Sequence, residues 1–216
     1  MSTTRAAVGL TVKSGWASAV LLRRTGKSLE VADCRTVTLS DPDVAESRQP
    51  YHAGFGTARA AGSGLTRLVA SVRRFGRTSM NRLLRQYADE GHTICGAGVV
   101  VGSLVDPRTI GNDHIRIHAL EGQLFRTIVQ TSLSKHGVKC SVWRERDLFG
   151  TAGEQLRRKE HALRTALLNL GRDVPGSWRA EQKAAALAAW IVLDARTRRA
   201  ILLEHVGRPP FRVAVE

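Results

Sequence analysis

The 216-residue sequence has few cysteines and no apolar run long enough for a membrane helix. Cys34, Cys95 and Cys140 are far apart and form no CxxC pair, which excludes a disulfide scaffold and a cysteine-based zinc site. A membrane-spanning helix needs about 20 consecutive apolar residues, and the first residues show no signal-peptide pattern. These absences predict a cytoplasmic protein with no membrane partner.

Acidic residues are also scarce relative to basic ones. The chain has 33 Lys and Arg against 19 Asp and Glu, which gives a net charge of +14. Only six of these 33 are lysines, and the arginine guanidinium binds phosphate through two parallel hydrogen bonds. Such a surplus attracts polyanions whatever the fold. It predicts a nucleic-acid partner, DNA or RNA, and an acidic protein partner is the alternative.

Motifs for nucleotide cofactors and for a serine nucleophile are missing as well. The sequence contains neither GxxxxGK[ST] nor GxGxxG, the patterns that hold phosphates on backbone N–H groups. Lys13-Ser14-Gly15 follows an apolar run and is at most a weak phosphate contact, and Gly62-Ser63-Gly64 lies in a segment rich in small residues. We therefore expect no cofactor.

The hydrophobic pattern predicts one α/β domain over residues 1–205 and a C-terminal extension over 206–216. Three strands joined by tight turns come first, over 6–12, 16–24 and 28–39. Residues 40–64 have no periodicity and are expected to be a long loop or flexible insertion. Next come a helix over 65–90, which Gly76 could divide in two, and a strand over 96–105. A helix from Asn112 or Asp113 to Gly137 follows, and then a strand over 138–143. The predicted order ends with helices over 151–170 and 179–203.

This order is that of the ribonuclease H-like fold, a mixed five-stranded sheet with three antiparallel strands, then two parallel strands, and helices on both faces. Three segments resemble the RuvC type of Holliday-junction resolvase: VGLTVKSGWA from Val8 to Ala17, GVVVG from Gly98 to Gly102, and AAALAAW from Ala184 to Trp190. The resemblance covers nearly the whole chain except 40–64, and it lies in order, glycines and apolar pattern.

The resemblance implies carboxylates at the ends of the first and fourth strands and on the last helix, where the family holds two Mg²⁺ ions. The corresponding residues here are Thr11, Gly102, Gln182 and Ala185, and none is acidic. Two Mg²⁺ ions need charged oxygen ligands. The sequence therefore favours a non-catalytic nucleic-acid-binding protein, as a subunit of a larger assembly or a homodimer.

A metal-dependent nuclease with displaced acids is the second interpretation. Asp106, Asp113 and Glu181 are the candidate Mg²⁺ ligands. Asp106 follows the fourth strand, and Glu181 lies one helical turn before Ala185. Each acid also has an ordinary explanation, since Asp106 precedes a proline, Asp113 starts a helix and Glu181 lies in a first turn.

A separate set of residues could bind a transition metal. His114, His118 and Glu121 follow the spacing i, i+4, i+7, which puts them on one face of a helix. Two imidazoles and a carboxylate are suitable ligands for such an ion. The alternatives are a surface cluster that contacts phosphate or a protein partner, and a pairing of Asp113 with Arg116.

Basic residues in five parts of the chain define the predicted nucleic-acid contacts. These residues would bind the phosphate backbone without sequence specificity. A protein-interaction scaffold with a basic face is the third interpretation. The predicted contact residues are Lys13, Arg73, Arg74, Arg77, Arg144, Arg146, Arg157, Arg158, Lys159, Arg179 and Lys183.

Overall fold

The fold consists of seven strands and five α-helices in a computed structural model that describes residues 4–26, 28–54 and 57–206. The strands are β1 (Thr4–Lys13), β2 (Trp16–Thr25), β3 (Ser28–Thr38), β4 (His52–Gly54), β5 (Thr57–Ala58), β6 (His92–Val101) and β7 (Cys140–Arg144). The helices are α1 (Ser63–Asp89), α2 (Asp113–Lys135), α3 (Leu148–Leu156), α4 (Glu160–Leu170) and α5 (Ala180–Val206).

Five strands form one mixed sheet in the order β3-β2-β1-β6-β7. The first three strands are antiparallel, and β6 and β7 run parallel to β1. This confirms the predicted sheet. Because β1, β6 and β7 are parallel, all three end at one edge of the sheet, which we call the carboxyl edge; Thr11 pairs there with Val100.

The strand alternation of β1 divides the molecule into two cores. Val8 and Leu10 are fully buried in the core formed with α1 and α2. Ala7 and Gly9, which alternate with them, face the other side, where Ala7 packs in the core formed with α3, α4 and α5. Helices therefore cover both faces of the sheet, as the sequence predicted.

Helix α1 is one uninterrupted helix of 27 residues, so the suggested division at Gly76 is wrong. A Cβ at Gly76 would lie 2.8 Å from Ile128 Cγ2 and 3.0 Å from the Leu39 carbonyl oxygen. The glycine therefore lets α1 approach α2 closely, and it does not break the helix.

Helix α2 begins and ends as predicted. The Asn112 Oδ1 accepts the backbone N–H of Ile115 at 3.0 Å, which caps the first turn. Gly137 has a φ of 70° just after the last turn, a left-handed conformation that favours glycine. Prediction was poorer in the next segment: the helix predicted over 151–170 is two helices, because Arg157 adopts a φ of 53° and ends α3.

The segment between β3 and α1 contains more regular structure than its sequence predicted. It has a 3₁₀ turn over Ala45–Arg48 and the small sheet of β4 and β5. Ser47 is buried, and its hydroxyl donates to the Asp41 carbonyl at 2.8 Å. The segment lies along the carboxyl edge, since β3 ends beside Trp16 at the start of β2.

The predicted C-terminal extension over 206–216 lies outside the described residues apart from its first residue. Among the helices that are described, none has the length and apolar character that crossing a membrane requires.

Candidate nucleic-acid interface and carboxyl edge

The positions that the resemblance assigns to catalytic acids meet at the carboxyl edge. Thr11 is fully buried, and its hydroxyl donates to the Glu181 carbonyl at 2.9 Å. Helix α5 lies so close to β1 that a Cβ on Gly9 would come within 1.7 Å of the Ala185 carbonyl oxygen. Gly102 directly follows β6, two residues after the partner of Thr11.

The side chains at these positions do not fit two Mg²⁺ ions. The Thr11 hydroxyl is occupied by its bond to α5, and the Gln182 Oε1 accepts the backbone N–H of Arg179 at 2.9 Å. Gly102 and Ala185 offer no side-chain oxygen. Protein sites for Mg²⁺ usually supply one or two carboxylates, and these positions supply none, so we derive no metal-dependent step here.

The proposed displaced acids are held in local contacts. Asp106 accepts three hydrogen bonds from the Arg108 side chain and one from its backbone N–H, and these lower the pKa of Asp106 to about 2. Asp113 pairs with Arg116 at 2.5 Å, the pairing that the sequence offered as an alternative. Glu181 lies in the first turn of α5. Across residues 4–26, 28–54 and 57–206, these three acids form no common group of ligand atoms.

A cluster of three histidines is the one group of potential metal ligands in the described part of the chain. The ligand atoms of His52, His114 and His118 lie within 4.8 Å of one another. His114 Nε2 is 3.2 Å from His118 Nε2, and the rings of His52 and His118 are 4.8 Å apart. His114 and His118 are exposed, in the first two turns of α2.

Glu121 lies beneath this cluster instead of beside it. The carboxylate is fully buried and accepts the Nδ1–H of His52 at 2.8 Å, while its other oxygen is 4.0 Å from His118 Nδ1 and has no hydrogen bond. Because an ionised carboxylate can only accept a hydrogen bond, this contact places a proton on His52 Nδ1. Burial raises the pKa of Glu121, and the hydrogen bond from His52 opposes that shift.

His52 is the residue that sequence reasoning missed. It lies 62 residues before His114 in a segment without periodicity, so no spacing connects it to the helix. Only the path of the chain along the carboxyl edge brings β4 to the start of α2.

Helix α1 carries an arginine face. Its six arginines are exposed, and none forms an ion pair with another residue of the described chain. The only acid in the helix is Asp89, its last residue. The arginine face consists of Arg67, Arg73, Arg74, Arg77, Arg82 and Arg85.

Basic residues at the carboxyl edge are partly neutralised. Lys13 pairs with Glu145 at 2.9 Å, and Arg144 pairs with Asp147. Arg146 is 3.7 Å from the other oxygen of Asp147. Arg179 and Lys183, around the start of α5, have no ion pair within the described residues.

The remaining predicted contacts form a separate surface. Arg157, Arg158 and Lys159 connect α3 to α4 and are exposed. The Arg158 guanidinium lies 5.3 Å from the centre of the Trp190 ring. Trp190 is about 13 Å along the axis of α5 from Glu181, at 1.5 Å per residue. The structure therefore does not bring Arg157–Lys159 to the carboxyl edge.

Comparison with solved structures identifies the fold. RuvC from Thermus thermophilus has a TM-score of 0.52 at 10% identity, over 89% of this chain and 96% of that one. T. thermophilus RuvC in complex with a Holliday junction substrate has a TM-score of 0.53 at 11% identity, with the same coverage. The yeast mitochondrial Holliday junction resolvase Ydc2 has a TM-score of 0.49 at 8% identity, over 94% and 85%.

No protein-family model matches the sequence, and no curated protein matches it. The likeness therefore lies in the backbone. The chain has a ribonuclease H-like fold of the RuvC type, which confirms the fold predicted from the sequence.

Proposed function

We propose that this protein is a RuvC-like nucleic-acid-binding protein without metal-dependent nuclease activity. The observation that carries the proposal is the arginine face of α1, because its six guanidinium groups have no acidic partner among the described residues. Arginines without partners are free to form bidentate contacts with phosphate. Each contact releases condensed counterions, so binding depends strongly on salt.

The fold supports a nucleic acid as the ligand. T. thermophilus RuvC, a structural neighbour of this chain, has been solved with a Holliday junction substrate. The net charge of +14 acts in the same direction, since it raises the local concentration of a polyanion around the whole molecule. The ligand class proposed here is DNA or RNA bound through its backbone.

The side chains at the carboxyl edge support the absence of nuclease activity. Thr11, Gly102 and Ala185 stand where the resemblance implies acids, and the Thr11 hydroxyl is already bound to the carbonyl of Glu181. Without carboxylates, nothing at these positions compensates for the loss of water from two divalent ions.

The experiment is a salt titration of binding to a labelled duplex and a labelled Holliday junction. In the triple variant Arg73→Ala, Arg74→Ala, Arg77→Ala, we expect weaker binding to every sequence alike. The slope of log affinity against log salt should shrink by about 1 for each phosphate that the variant no longer binds.

A matched control removes the same charge from elsewhere. Arg23, Arg108 and Arg164 each pair with an acid, namely Glu30, Asp106 and Glu160. The triple variant Arg23→Ala, Arg108→Ala, Arg164→Ala should keep most of the affinity and of the slope. An equal fall in affinity in the two variants would mean that net charge alone governs binding, and would remove α1 from the interface.

A further inference from the structure

We propose that His52, His114 and His118 bind one transition-metal ion of the Zn²⁺ class, with Glu121 as the buried carboxylate that orients the rings. The site joins the segment before α1 to the first two turns of α2. The proposal is independent of the proposed function, because it involves none of the arginines assigned to nucleic-acid binding.

The distances suit tetrahedral coordination. Two ring nitrogens bound to Zn²⁺ at about 2.0–2.1 Å lie about 3.3–3.4 Å from each other in a tetrahedral site. His114 Nε2 and His118 Nε2 are already 3.2 Å apart. All three ligand atoms lie within 4.8 Å, so the third ring needs only a small movement. Because His114 and His118 are exposed, their side chains can move toward His52 to close the remaining distance.

Glu121 provides the outer contacts that metal-binding histidines usually have. A histidine that binds a metal through one ring nitrogen donates its other N–H to a carboxylate or carbonyl, which fixes the ring and raises its basicity. Glu121 accepts Nδ1–H of His52 at 2.8 Å and directs its second oxygen at His118 Nδ1, 4.0 Å away. The Nε2 atoms of both rings therefore remain for the metal.

The burial of Glu121 is an independent indication of a charged partner. Its side chain is fully buried, and Oε2 has no hydrogen bond. A buried carboxylate with an unused oxygen is costly unless a positive charge is near. A divalent ion held by His52 and His118 would supply that charge through the two rings.

The ligand set selects the metal class. Imidazole nitrogens suit Zn²⁺, Cu²⁺ and Ni²⁺, whereas Mg²⁺ and Ca²⁺ prefer oxygen ligands. Three protein ligands leave a fourth position, which a water molecule fills in sites of this kind. Since His114 and His118 are exposed, that position faces solvent.

The experiment measures Zn²⁺ binding by the full chain without an affinity tag, after removal of metal with a chelator. Calorimetric titration with ZnCl₂ should give one site per chain, and elemental analysis after dialysis should give one zinc. Co²⁺ should produce the visible absorption of a tetrahedral ion. Mg²⁺ should not compete.

Variants of two of the rings and of Glu121 locate the site. His114→Ala and His118→Ala should each abolish the high-affinity site, and Glu121→Gln should weaken it about 10- to 100-fold. His161→Ala, which changes an exposed histidine on α4, is the matched control and should bind like the wild type. Circular dichroism of each metal-free variant checks that the fold is retained.

Two results would overturn the proposal. One is the absence of stoichiometric Zn²⁺ binding by the folded wild type. The other is a zinc site that survives in both His114→Ala and His118→Ala, because it would then lie elsewhere in the chain. Neither result would affect the salt-dependent binding assigned to α1.

Discussion

Thr11 is buried between β1 and α5, and its hydroxyl bond to the Glu181 carbonyl is part of the packing of that helix. A carboxylate in its place would face a carbonyl oxygen with no compensating cation. We expect Thr11→Val to lower the free energy of unfolding by about 1 kcal/mol, the net contribution of one hydrogen bond. Thr11→Asp should cost about 3–5 kcal/mol, as for an unpaired buried charge. Urea unfolding measures both, and equal costs would contradict this account of the site.

The missing acids lead to a prediction about activity. With Mg²⁺ or Mn²⁺ present, we expect neither the wild type nor Thr11→Asp to cleave a junction, a duplex or a single strand, because the other ligands are also absent. Gel analysis of labelled substrates tests this. Cleavage by the wild type that Asp106→Asn or Glu181→Gln abolishes would establish that the acids are displaced, and would overturn the proposed lack of activity.

Tyr87 forms a polar contact in the core between α1 and the sheet. Its hydroxyl donates to Asp33 at 2.7 Å, and Arg35 binds both oxygens of the same carboxylate at 2.6 and 2.8 Å. Burial, and then the hydrogen bond to Asp33, raise the pKa of Tyr87 far above its ordinary value. The folded state therefore strongly favours the neutral phenol.

Because of this shift, the free energy of unfolding should decrease at alkaline pH. Above pH 10.0, the ordinary pKa of tyrosine, the unfolded chain loses the Tyr87 proton while the folded chain keeps it, so stability falls as pH rises. Tyr87→Phe should cost about 1–2 kcal/mol at neutral pH, and should show a shallower decline in stability above pH 10. Thermal melts of the two proteins from neutral to alkaline pH test this, and parallel curves would contradict it.

The roles of single residues could be predicted from the sequence where those roles depend only on residues nearby in the chain. Asn112 as a cap and Gly137 as a helix end are local effects of side-chain and backbone chemistry, and both are confirmed. His52 could not be predicted, since its partners on α2 are distant in sequence. The position of Glu121 under the rings depends on the depth at which α2 packs, which spacing on a helix does not specify.

At the scale of elements, the contact of α5 with the sheet depends on two glycines. A Cβ on Gly9 would overlap the Ala185 carbonyl at 1.7 Å, and one on Gly98 would lie 2.6 Å from the Ala188 carbonyl. Both obstacles are backbone atoms, which cannot rotate away. Helix and sheet therefore approach more closely than ordinary side chains would permit.

We expect Gly9→Ala to destabilise the protein by about 3 kcal/mol or more, because overpacking forces the helix away from the sheet. Gly122→Ala is the matched control: it lies in α2, and apart from its own stretch of helix no atom of the described structure lies within 4 Å of the added Cβ. That change should raise stability by about 0.5–1 kcal/mol. Denaturant unfolding compares the two variants, and a neutral Gly9→Ala would show that α5 can shift at little cost.

Element order was easier to predict from the sequence than element boundaries. Period-2 runs and turn residues predict the three-stranded meander, and the β-branched run before Gly102 predicts the buried strand β6. The continuity of α1 through Gly76 and the end of α3 at Arg157 depend on tertiary contacts. A glycine in a helical pattern is compatible both with a break in the helix and with close packing against a neighbouring helix. The sequence alone does not distinguish these two outcomes.

At the scale of the whole molecule, the basic residues occupy surfaces that differ in how far they are neutralised. At the carboxyl edge Lys13, Arg144 and Arg146 are paired with acids. The arginines of α1 have no acidic partner among the described residues, and Arg158 stacks on Trp190. Substituting Arg157, Arg158 and Lys159 by Ala should therefore reduce DNA affinity less than the α1 triple variant does. Fluorescence anisotropy at one salt concentration compares them, and the reverse order would place the interface at the α3–α4 connection.

The position of α5 in the chain also has a consequence for how the protein folds. The meander of β1, β2 and β3 is local in sequence and can form early, whereas the β1–β6 pairing joins residues nearly 90 positions apart, such as Thr11 and Val100. The sheet face that holds Ala7, Gly9 and Thr11 is covered completely only when α5 packs against it, since α5 contacts Gly9 and Thr11 directly. A nascent chain therefore leaves this side of the sheet incompletely covered until α5 has been synthesised, and during that interval it is exposed to aggregation and to binding by chaperones.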